Sequence, residues 1–290
     1  MAALDTDLKP TIIKADGTAE AFDPSKLENS LRRAGAGAHT AERIRRTIEL
    51  SIGNRAGTHE IYKRAFTMLR QDTRAAAARY SLRRALFELG PSGHPFEDFV
   101  AQMFKKEGWE VEWRKIIAGK CVSHEVDIYA TRGGEFLAAE LKYHNDPSYK
   151  TDVKIALYVK ARFEDIWNCD PKTDSSCPID HGFLITNTKF TSQAIQYAKC
   201  AGIELLGWSY PHEGNLYDRI VATGLYPVTA LTLLKKAEKR LLIDKGIVTC
   251  DQVREHREVL RSLSIPPDRI GAILAESNAL CESTSFTAST

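Results

Sequence analysis

Two acidic residues and a lysine stand on adjacent strand-like segments near the middle of the chain. Asp127 lies in the segment 122–131, and Glu140 and Lys142 lie in the segment 135–143. Carboxylates bind Mg²⁺, usually one or two of them together with waters and a substrate phosphate. A cation held in this way polarises a phosphate and lowers the pKa of a bound water, which a neighbouring lysine can orient. These residue types therefore suit metal-dependent hydrolysis of a phosphodiester.

A short turn between the two segments predicts how these side chains face each other. Gly133-Gly134 is a glycine pair, which two-residue hairpin turns favour because both central positions need a positive φ. Pairing across this turn places Asp127 opposite Glu140, and Lys142 shares that face because side chains alternate along a strand. The opposite face is predicted to point into the core and carries Val126, Ile128, Leu137, Ala139 and Leu141.

Two directly opposed carboxylates repel each other, so a divalent cation between them is a physical reason for the pairing. Asp127, Glu140 and the backbone carbonyl of Leu141 together supply oxygen ligands for Mg²⁺ or Mn²⁺. A solvated strand face with a cross-strand ion pair is the usual explanation of an isolated Glu-x-Lys pattern. The agreement of this hairpin with the segments around it favours the metal site.

The surrounding segments predict a domain of the α/β class. A cluster of helix breakers at 90–95 is followed by an apolar stripe at helical spacing, which predicts an amphipathic helix. Patterning then predicts two helices, at 152–167 and 191–201, and strands at 109–117, 122–131, 135–143, 181–186 and 203–206. This order indicates a mixed sheet flanked by helices.

This combination resembles the PD-(D/E)XK nucleases. The resemblance rests on Asp127, on the pattern Glu140-x-Lys142, and on a preceding helix that carries an acid at Glu97. The later segments, among them Gly182-Phe183-Leu184-Ile185-Thr186-Asn187, are similar to those of Mrr-like restriction endonucleases. The resemblance covers about residues 93–210.

The resemblance implies a restriction-endonuclease-like fold and Mg²⁺-dependent cleavage of DNA. It implies that Asp127 and Glu140 are metal ligands, that Lys142 is the catalytic lysine, and that Glu97 joins the metal shell as in some members. For Glu97, a surface glutamate favoured by the helix dipole is an equal alternative. Val126 stands where the family often has a proline.

Five residues on or before the predicted helix 152–167 could lie along a phosphate backbone. A basic helix face exposed to solvent is the alternative interpretation, and the sequence does not separate the two. These residues are Lys150, Lys154, Tyr158, Lys160 and Arg162.

The front of the chain predicts a β-hairpin followed by a helical bundle. A strand at 11–14 and a turn at Asp16-Gly17 precede a second short strand, and Asp23-Pro24 supplies an N-cap and a proline at the first helical position. Further helices follow, ending with an alanine- and arginine-rich helix at about 73–89. The segment is therefore predicted to be of the α+β class.

This front segment resembles the ATP-cone, the allosteric nucleotide domain of ribonucleotide reductases, over about residues 10–90. The resemblance implies ATP or dATP as an allosteric ligand, and no Gly-x-x-x-x-Gly-Lys-[Ser/Thr] loop is present to suggest its use as fuel. Phosphate contacts from lysine and base or ribose contacts from acids and threonine are chemically sensible. Ala15 stands where the family often has an arginine. The implied ligand-binding residues are Lys14, Glu20, Asp23, Lys26 and Thr58.

From about residue 216 onward, patterning predicts only short helices, and Ser283–Thr290 reads as a disordered polar end. These helices loosely resemble helix-hairpin-helix or SAM-like bundles, for which dimerisation and DNA contact are equal alternatives. We therefore predict three domains, an ATP-cone at 1–90, a nuclease domain at 91–215 and an all-α C-terminal domain at 216–290.

The composition is that of an ordinary globular protein. Hydrophobic residues make up 43% of the 290 residues, the net charge is +2, and no apolar run is long enough for a membrane span. The N-terminal residues lack the apolar core of a secretory signal, and the six cysteines are scattered, which favours a reducing cytoplasm. Cys169, Cys177 and His181 lack the paired spacing of structural zinc sites.

The sequence thus predicts an endonuclease that hydrolyses DNA with Mg²⁺ or Mn²⁺ and is regulated by adenine nucleotide. Because cutting both strands needs two active sites, a homo-oligomer is expected. The alternative is a catalytically inactive, nucleotide-responsive DNA-binding regulator that retains a nuclease fold.

Overall fold

The computed structural model describes residues 10–14 and 17–282, which form two compact units. The first unit ends at Leu82 and the second begins at Arg83. The division therefore falls eight residues before the boundary that the breaker cluster predicts. Asp16 of the predicted turn and the polar end 283–290 lie outside the described residues.

The first unit contains a three-stranded sheet and a set of helices. Strand β1 (Thr11–Ile13) pairs antiparallel with β2 (Ala19–Ala21), as the hairpin prediction requires, and parallel with the short β3 (Ala56–Gly57). The helices are α1 (Pro24–Arg33), α2 (Ala38–Ser51), α3 (Thr58–Asp72) and α4 (Arg74–Tyr80).

Apolar side chains at helical spacing form the core of the first unit. Leu31, Ile44, Ile48 and Leu69 are fully buried in one cluster with residues of the hairpin. Burial of each such side chain contributes roughly 1.5–3 kcal/mol of stability relative to leaving it exposed. These buried residues therefore account for much of the stability of the bundle.

The long helix predicted at 73–89 is interrupted. Helix α4 ends at Tyr80 and α5 (Leu82–Phe87) begins after Ser81. The Ser81 hydroxyl donates to the carbonyl of Ala78 at 2.9 Å, and such side-chain hydrogen bonds to the preceding turn compete with the helical backbone. The expectation of one continuous helix is therefore wrong.

The second unit contains the predicted mixed sheet. Helix α6 (His94–Lys106) precedes the antiparallel strands β4 (Glu110–Ala118), β5 (Ser123–Arg132) and β6 (Glu135–Lys142). Strand β8 (His181–Thr186) then pairs parallel with β6, and β10 (Glu204–Leu206) pairs parallel with β8, so that the sheet order is β10-β8-β6-β5-β4. The remaining elements of this region are β7 (Lys150–Thr151), α7 (Val153–Trp167), β9 (Lys189–Phe190) and α8 (Ser192–Ala201).

Helices cover both faces of this sheet. Phe163 of α7 and Ala194 of α8 belong to a buried cluster with Leu184 of β8. The neighbouring Phe183 points to the opposite face, where its ring lies 6.1 Å from that of Phe104 in α6. The sheet is therefore buried between two helical layers, which explains why β6 and β8 are apolar along most of their length.

Six short elements follow the sheet and belong to the same compact unit. The Arg219 guanidinium pairs with Glu107, Lys106 lies 2.7 Å from Asp251, and Arg240 donates to the Gly90 carbonyl at 2.6 Å. These contacts explain why the structure groups 216–282 with the sheet, whereas the sequence predicts a separate domain. The elements are α9 (Leu216–Thr223), a 3₁₀ turn (Val228–Ala230), α10 (Lys236–Asp244), α11 (Cys250–Glu255), α12 (Glu258–Ser262) and α13 (Pro267–Cys281).

Two of the cysteines are paired. Cys169 and Cys177 form a disulfide with their Cα atoms 6.3 Å apart, although scattered cysteines favour free thiols when only the sequence is considered. His181 pairs instead with Glu204, at 2.7 Å. The three potential zinc ligands therefore have other partners. Over residues 10–14 and 17–282, none of the helices is long and apolar enough to cross a lipid bilayer.

Candidate active site

The hairpin that carries the predicted acids has the predicted register. Ile128 lies opposite Ala139 and Arg132 lies opposite Glu135, so that Gly133 and Gly134 form the turn. Both glycines have a positive φ, of 59° and 90°, which non-glycine residues adopt with difficulty. The predicted role of the glycine pair in setting the register of β5 and β6 is thus confirmed.

Counted from the turn, the ladder between β5 and β6 runs as far as Ile128. Asp127 is the next residue and lies outside it. Instead of forming a ladder pair with Glu140, Asp127 turns its carboxylate so that Oδ2 accepts the N–H of Leu141 at 2.6 Å. The expectation that Asp127 and Glu140 are directly opposed in a regular ladder is therefore wrong. The side chain-to-backbone hydrogen bond nevertheless fixes Asp127 beside the end of β6.

Strand β4 is irregular at the same level, where Arg114 would lie opposite Asp127. Trp113 lies under Lys105 of α6, whereas Lys115 lies 4.0 Å from the ring centroid of Tyr129 on the other face. Residues two apart normally share a face, so the alternation is broken at Arg114, whose φ is +47°. The register of β4 with β5 is the same on both sides of Arg114, so no extra residue is inserted and the irregularity changes only the direction of the side chains.

Val126 is buried in the core, as predicted, but not on the face that the sequence predicts. Val126 is buried in the α7 and α8 cluster together with Tyr129, three residues away, instead of sharing a face with Ile128. The alternation of β5 is therefore also broken next to Asp127. The irregularity in both strands places the Asp127 carboxyl near acids from two different elements.

Glu140 is the most deeply buried acid of the group, with 4% of its surface exposed. Its strand, β6, is paired on both sides, with β5 and β8, which fixes the backbone. Nζ of Lys142 lies 2.7 Å from Oε1, and Nη1 of Arg162 lies 2.5 Å from Oε2. Two cations thus neutralise the buried carboxylate, which would otherwise be costly to bury.

Glu97 lies in the first turn of α6, where the sequence places it. Its carboxylate is 3.3 Å from Nη2 of Arg114, and its side chain is 14% exposed. Glu97 is thus a partly buried acid paired with a cation. The negative charge of Glu97 raises the pKa of Asp127. Glu97 therefore lies near the other two acids.

The charges of Glu140 and Glu97 both act on Asp127. Burial, then the charge of Glu140, and to a smaller extent that of Glu97, raise the pKa of Asp127 to about 6. The N–H of Leu141 and the charge of Lys142 oppose this shift. Perturbed carboxyls of this kind are typical of functional sites, although structural ion pairs also produce them.

The donor set suits a hard cation. Asp127, Glu140 and the Leu141 carbonyl are all oxygen donors, and Mg²⁺ is commonly held by one or two carboxylates with water and phosphate completing the shell. In the described part of the chain, no three side chains of the His, Cys, Asp and Glu types form a ready-made metal cage. The residues therefore fit a two-carboxylate site better than a closed one.

The basic residues of the α7 segment do not form one group. Arg162 contacts Glu140, whereas Lys160 stacks over the ring of Trp167 at 4.5 Å, and Lys150 and Lys154 are exposed. The pairing of Arg162 with Glu140 is the main feature of the site that the sequence misses. No local pattern could reveal it, because the two residues are 22 positions apart.

The first unit brings together three of the five residues implied for nucleotide binding. Glu20 lies between two lysines, 2.6 Å from Lys14 and 3.9 Å from Lys26, and the hydrogen bond from Lys14 lowers the pKa of Glu20. Thr58 directly follows β3, just as Lys14 follows β1, so the parallel pairing places both at the same edge. A charged cluster therefore lies beside a strand edge.

Asp23 is engaged in the local structure. Its carboxylate accepts the N–H of Ser25 at 3.0 Å and the Ser25 hydroxyl at 2.6 Å, which caps the N-terminus of α1. Such a cap contributes roughly 1 kcal/mol of stability. A role in ligand binding for Asp23 stays a prediction.

Two family models match separate parts of the chain. The model of the ATP cone domain matches residues 10–87, which confirms the predicted ATP-cone, and the model described as AF1548-like, C-terminal matches residues 226–281. The ATP-cone match extends slightly beyond the first compact unit.

A relative and two solved structures extend the comparison. An uncharacterized protein of Archaeoglobus fulgidus is 36% identical over 182 residues, which cover 61% of this chain and 97% of the relative. The crystal structure of the protein of unknown function AF1548 aligns with a TM-score of 0.52 and 33% identity, over 66% of this chain and 99% of that one.

The MspJI restriction endonuclease in complex with a 27-mer oligonucleotide aligns with 14% identity and a TM-score of 0.31, over 45% of this chain and 29% of that one. A likeness this low carries no argument about fold or function. The relative from Archaeoglobus fulgidus is matched along nearly its whole length, and this match shows that the chain belongs to the AF1548-like family.

Proposed function

We propose that the second unit is a metal-dependent endonuclease of the PD-(D/E)XK type that hydrolyses DNA phosphodiester bonds. The observation that carries the proposal is the meeting of Asp127, Glu140 and Lys142 at the end of β6. The pKa of Asp127, raised to about 6 by burial and by Glu140, supports it, because two close acids gain most from a shared cation.

Each residue has a proposed role in the reaction. Asp127, Glu140 and the Leu141 carbonyl hold Mg²⁺ or Mn²⁺, and Glu97 assists from α6. Such a cation supplies Lewis-acid polarisation of the phosphate and a water of lowered pKa. Lys142, whose side chain is 32% exposed, orients the attacking water or offsets charge on the pentavalent phosphorus.

The direct experiment is incubation of the full chain with supercoiled plasmid and Mg²⁺ or Mn²⁺. Nicked or linear product that disappears with excess EDTA is the expected result. A labelled RNA of the same sequence tests the preference for DNA. Intact plasmid under all metal conditions, with and without ATP or dATP, would contradict the proposal.

One observation favours the alternative of an inactive, nucleotide-responsive DNA-binding regulator. Both oxygens of Glu140 are engaged by Lys142 and Arg162, as in a structural ion-pair network. The regulator would bind duplex DNA in a nucleotide-dependent way without cutting it. Binding and cleavage measured on the same duplex separate these two functions.

We propose further that the ATP-cone regulates the second unit by binding ATP or dATP. Lys14 and Lys26 contact the phosphates, and Glu20, Asp23 and Thr58 contact the base or ribose. A change of oligomeric state is the proposed output, because cutting both strands needs two catalytic sites. Sedimentation of the full chain with and without ATP tests this part.

Replacing Lys14 by methionine is expected to weaken ATP binding by about 10- to 100-fold, because a charge-assisted hydrogen bond contributes roughly 1.5–3 kcal/mol. Isothermal titration calorimetry measures the change. Lys63→Met removes an exposed lysine from α3 and serves as the matched control. Equal affinities of the two variants would remove Lys14 from the proposed site.

The affinity of the protein for Mn²⁺ is expected to rise with pH up to about 6 and then level off. Burial and Glu140 raise the pKa of Asp127 to about 6, and the protonated acid cannot act as a ligand. Below this value, the affinity should fall about tenfold for each pH unit, as for one competing proton. Calorimetry without DNA between about pH 5 and pH 8 measures the midpoint. A midpoint near the ordinary value of 3.8 would mean that neither burial nor the charge of Glu140 raises the pKa of Asp127.

A further inference from the structure

Both oxygens of the proposed ligand Glu140 are held by protein cations. Lys142 lies 2.7 Å from one oxygen and Arg162 lies 2.5 Å from the other, and the carboxylate is almost completely buried. Lys142 belongs to the same strand and is already assigned to the attacking water. Arg162 comes from α7, and its contact with Glu140 has no role in the proposed reaction so far.

Arg162 is also anchored by contacts that do not involve Glu140. Nη1 donates to the carbonyl of Glu125 at 3.0 Å, Nη2 donates to the hydroxyl of Tyr158, and the guanidinium lies 5.1 Å from the Tyr158 ring centroid. The side chain is only 18% exposed. If the bond to Glu140 breaks, these contacts keep the guanidinium beside the site.

A divalent cation bound to Glu140 would meet Arg162 at very short range. Like charges a few ångströms apart repel strongly in a partly buried site, where water screens them poorly. The cation and the guanidinium therefore compete for the same carboxylate oxygen. A guanidinium released from Glu140 regains the Nη1 N–H that the carboxylate held, while its contacts to Glu125 and Tyr158 remain, and this N–H can be donated to a phosphate oxygen.

We propose that Arg162 exchanges partners during the reaction. It holds Glu140 when no divalent cation is bound, and it donates to a non-bridging oxygen of the scissile phosphate once the cation has taken Glu140. This inference rests on the proposed function. Arg162 then contacts the phosphate during the reaction. Without a divalent cation, Lys142 and Arg162 neutralise the Glu140 carboxylate.

The exchange predicts opposite effects of one substitution on two measurements. Without Arg162, the cation no longer competes with a guanidinium, so metal binding becomes tighter. The phosphate loses a charged donor at the same time, so the KM for DNA rises or the turnover falls. A residue that only supports the fold would weaken both.

The test uses Arg162→Gln in the full chain. Isothermal titration calorimetry with Mn²⁺ alone, without DNA, is expected to show about fivefold or greater tightening. Steady-state cleavage of a short duplex at saturating Mn²⁺ is expected to lose about tenfold or more in kcat/KM. Arg162→Met is a second uncharged variant if the first is unstable.

Two further variants make the result specific. Lys160 belongs to the same helix and stacks on Trp167. Lys160→Gln removes this cation and should leave the Mn²⁺ affinity unchanged. Arg162→Lys keeps the charge but not the fork, so it should bind Mn²⁺ like the natural protein while losing kcat/KM.

The outcomes separate this inference from the proposed function. Unchanged or weaker Mn²⁺ binding by folded Arg162→Gln, with binding lost in Glu140→Gln, overturns the exchange and leaves the metal site intact. Undiminished Mn²⁺ binding in Glu140→Gln overturns both. Tighter binding in Arg162→Gln in a protein that cuts no DNA supports the competition but removes the hydrolase.

Discussion

Lys142→Ala is expected to lower the rate of plasmid cleavage by about 10²- to 10⁴-fold at saturating Mg²⁺, with DNA binding preserved. This range is typical of residues that transfer protons or stabilise developing charge. Lys142 is placed for this role by the end of β6, where its ammonium is 2.7 Å from the Glu140 carboxylate. A single-turnover cleavage assay measures the chemical step, and fluorescence anisotropy measures binding.

Lys199→Ala is the matched control, because Lys199 is an exposed lysine in the last turn of α8. It should cleave like the natural protein. Equal cleavage by the Lys142 and Lys199 variants would mean that Lys142 does not take part in the chemistry. Loss of both binding and cleavage in Lys142→Ala would instead assign it to DNA contact.

Asp127→Asn is expected to abolish metal binding and yet to stabilise the metal-free protein near pH 8. Its folded-state pKa of about 6 lies above the ordinary 3.8, so folding costs free energy wherever Asp127 must be charged. The folded state binds more protons than the unfolded state between these two values. Stability from this group is therefore present at low pH and is lost as the pH rises through about 6.

The gain from Asp127→Asn should be about 1–2 kcal/mol near pH 8, after a reduction for the part of the side chain that water screens. This corresponds to an increase of a few degrees in Tm. Thermal unfolding monitored by circular dichroism measures it, and the gain should vanish near pH 4, where Asp127 is protonated.

Asp180→Asn is the control, because Asp180 also accepts a backbone N–H of β6, that of Phe136 at 2.7 Å. No gain in Tm is expected for it. Destabilisation by Asp127→Asn at both pH values would show that the carboxylate contributes mainly through its hydrogen bond to Leu141.

The sequence predicts the hairpin well because its determinants are local. The glycine pair and the two-residue alternation fix the register from Ile128 to Arg132. The turn of Asp127 out of this ladder coincides with an irregularity of the neighbouring strand β4, in which Arg114 adopts a positive φ. No pattern within β5 contains that information.

The contacts made by α7 and the C-terminal helices are equally non-local. Arg162 reaches Glu140 only because α7 packs on the face of the sheet that carries this acid. Composition and spacing place Arg162 on a basic helix but cannot choose between solvent, phosphate and a buried carboxylate. Three-dimensional packing makes that choice.

The ion pairs between α6 and the C-terminal helices limit how far the second unit can be truncated. Lys106 and Glu107, at the end of α6, pair with Asp251 and Arg219. The same helix presents Glu97 at its beginning. A fragment of the second unit cut after residue 215 would lose both ion pairs, so we expect a stable fragment to extend at least through α11, which carries Asp251.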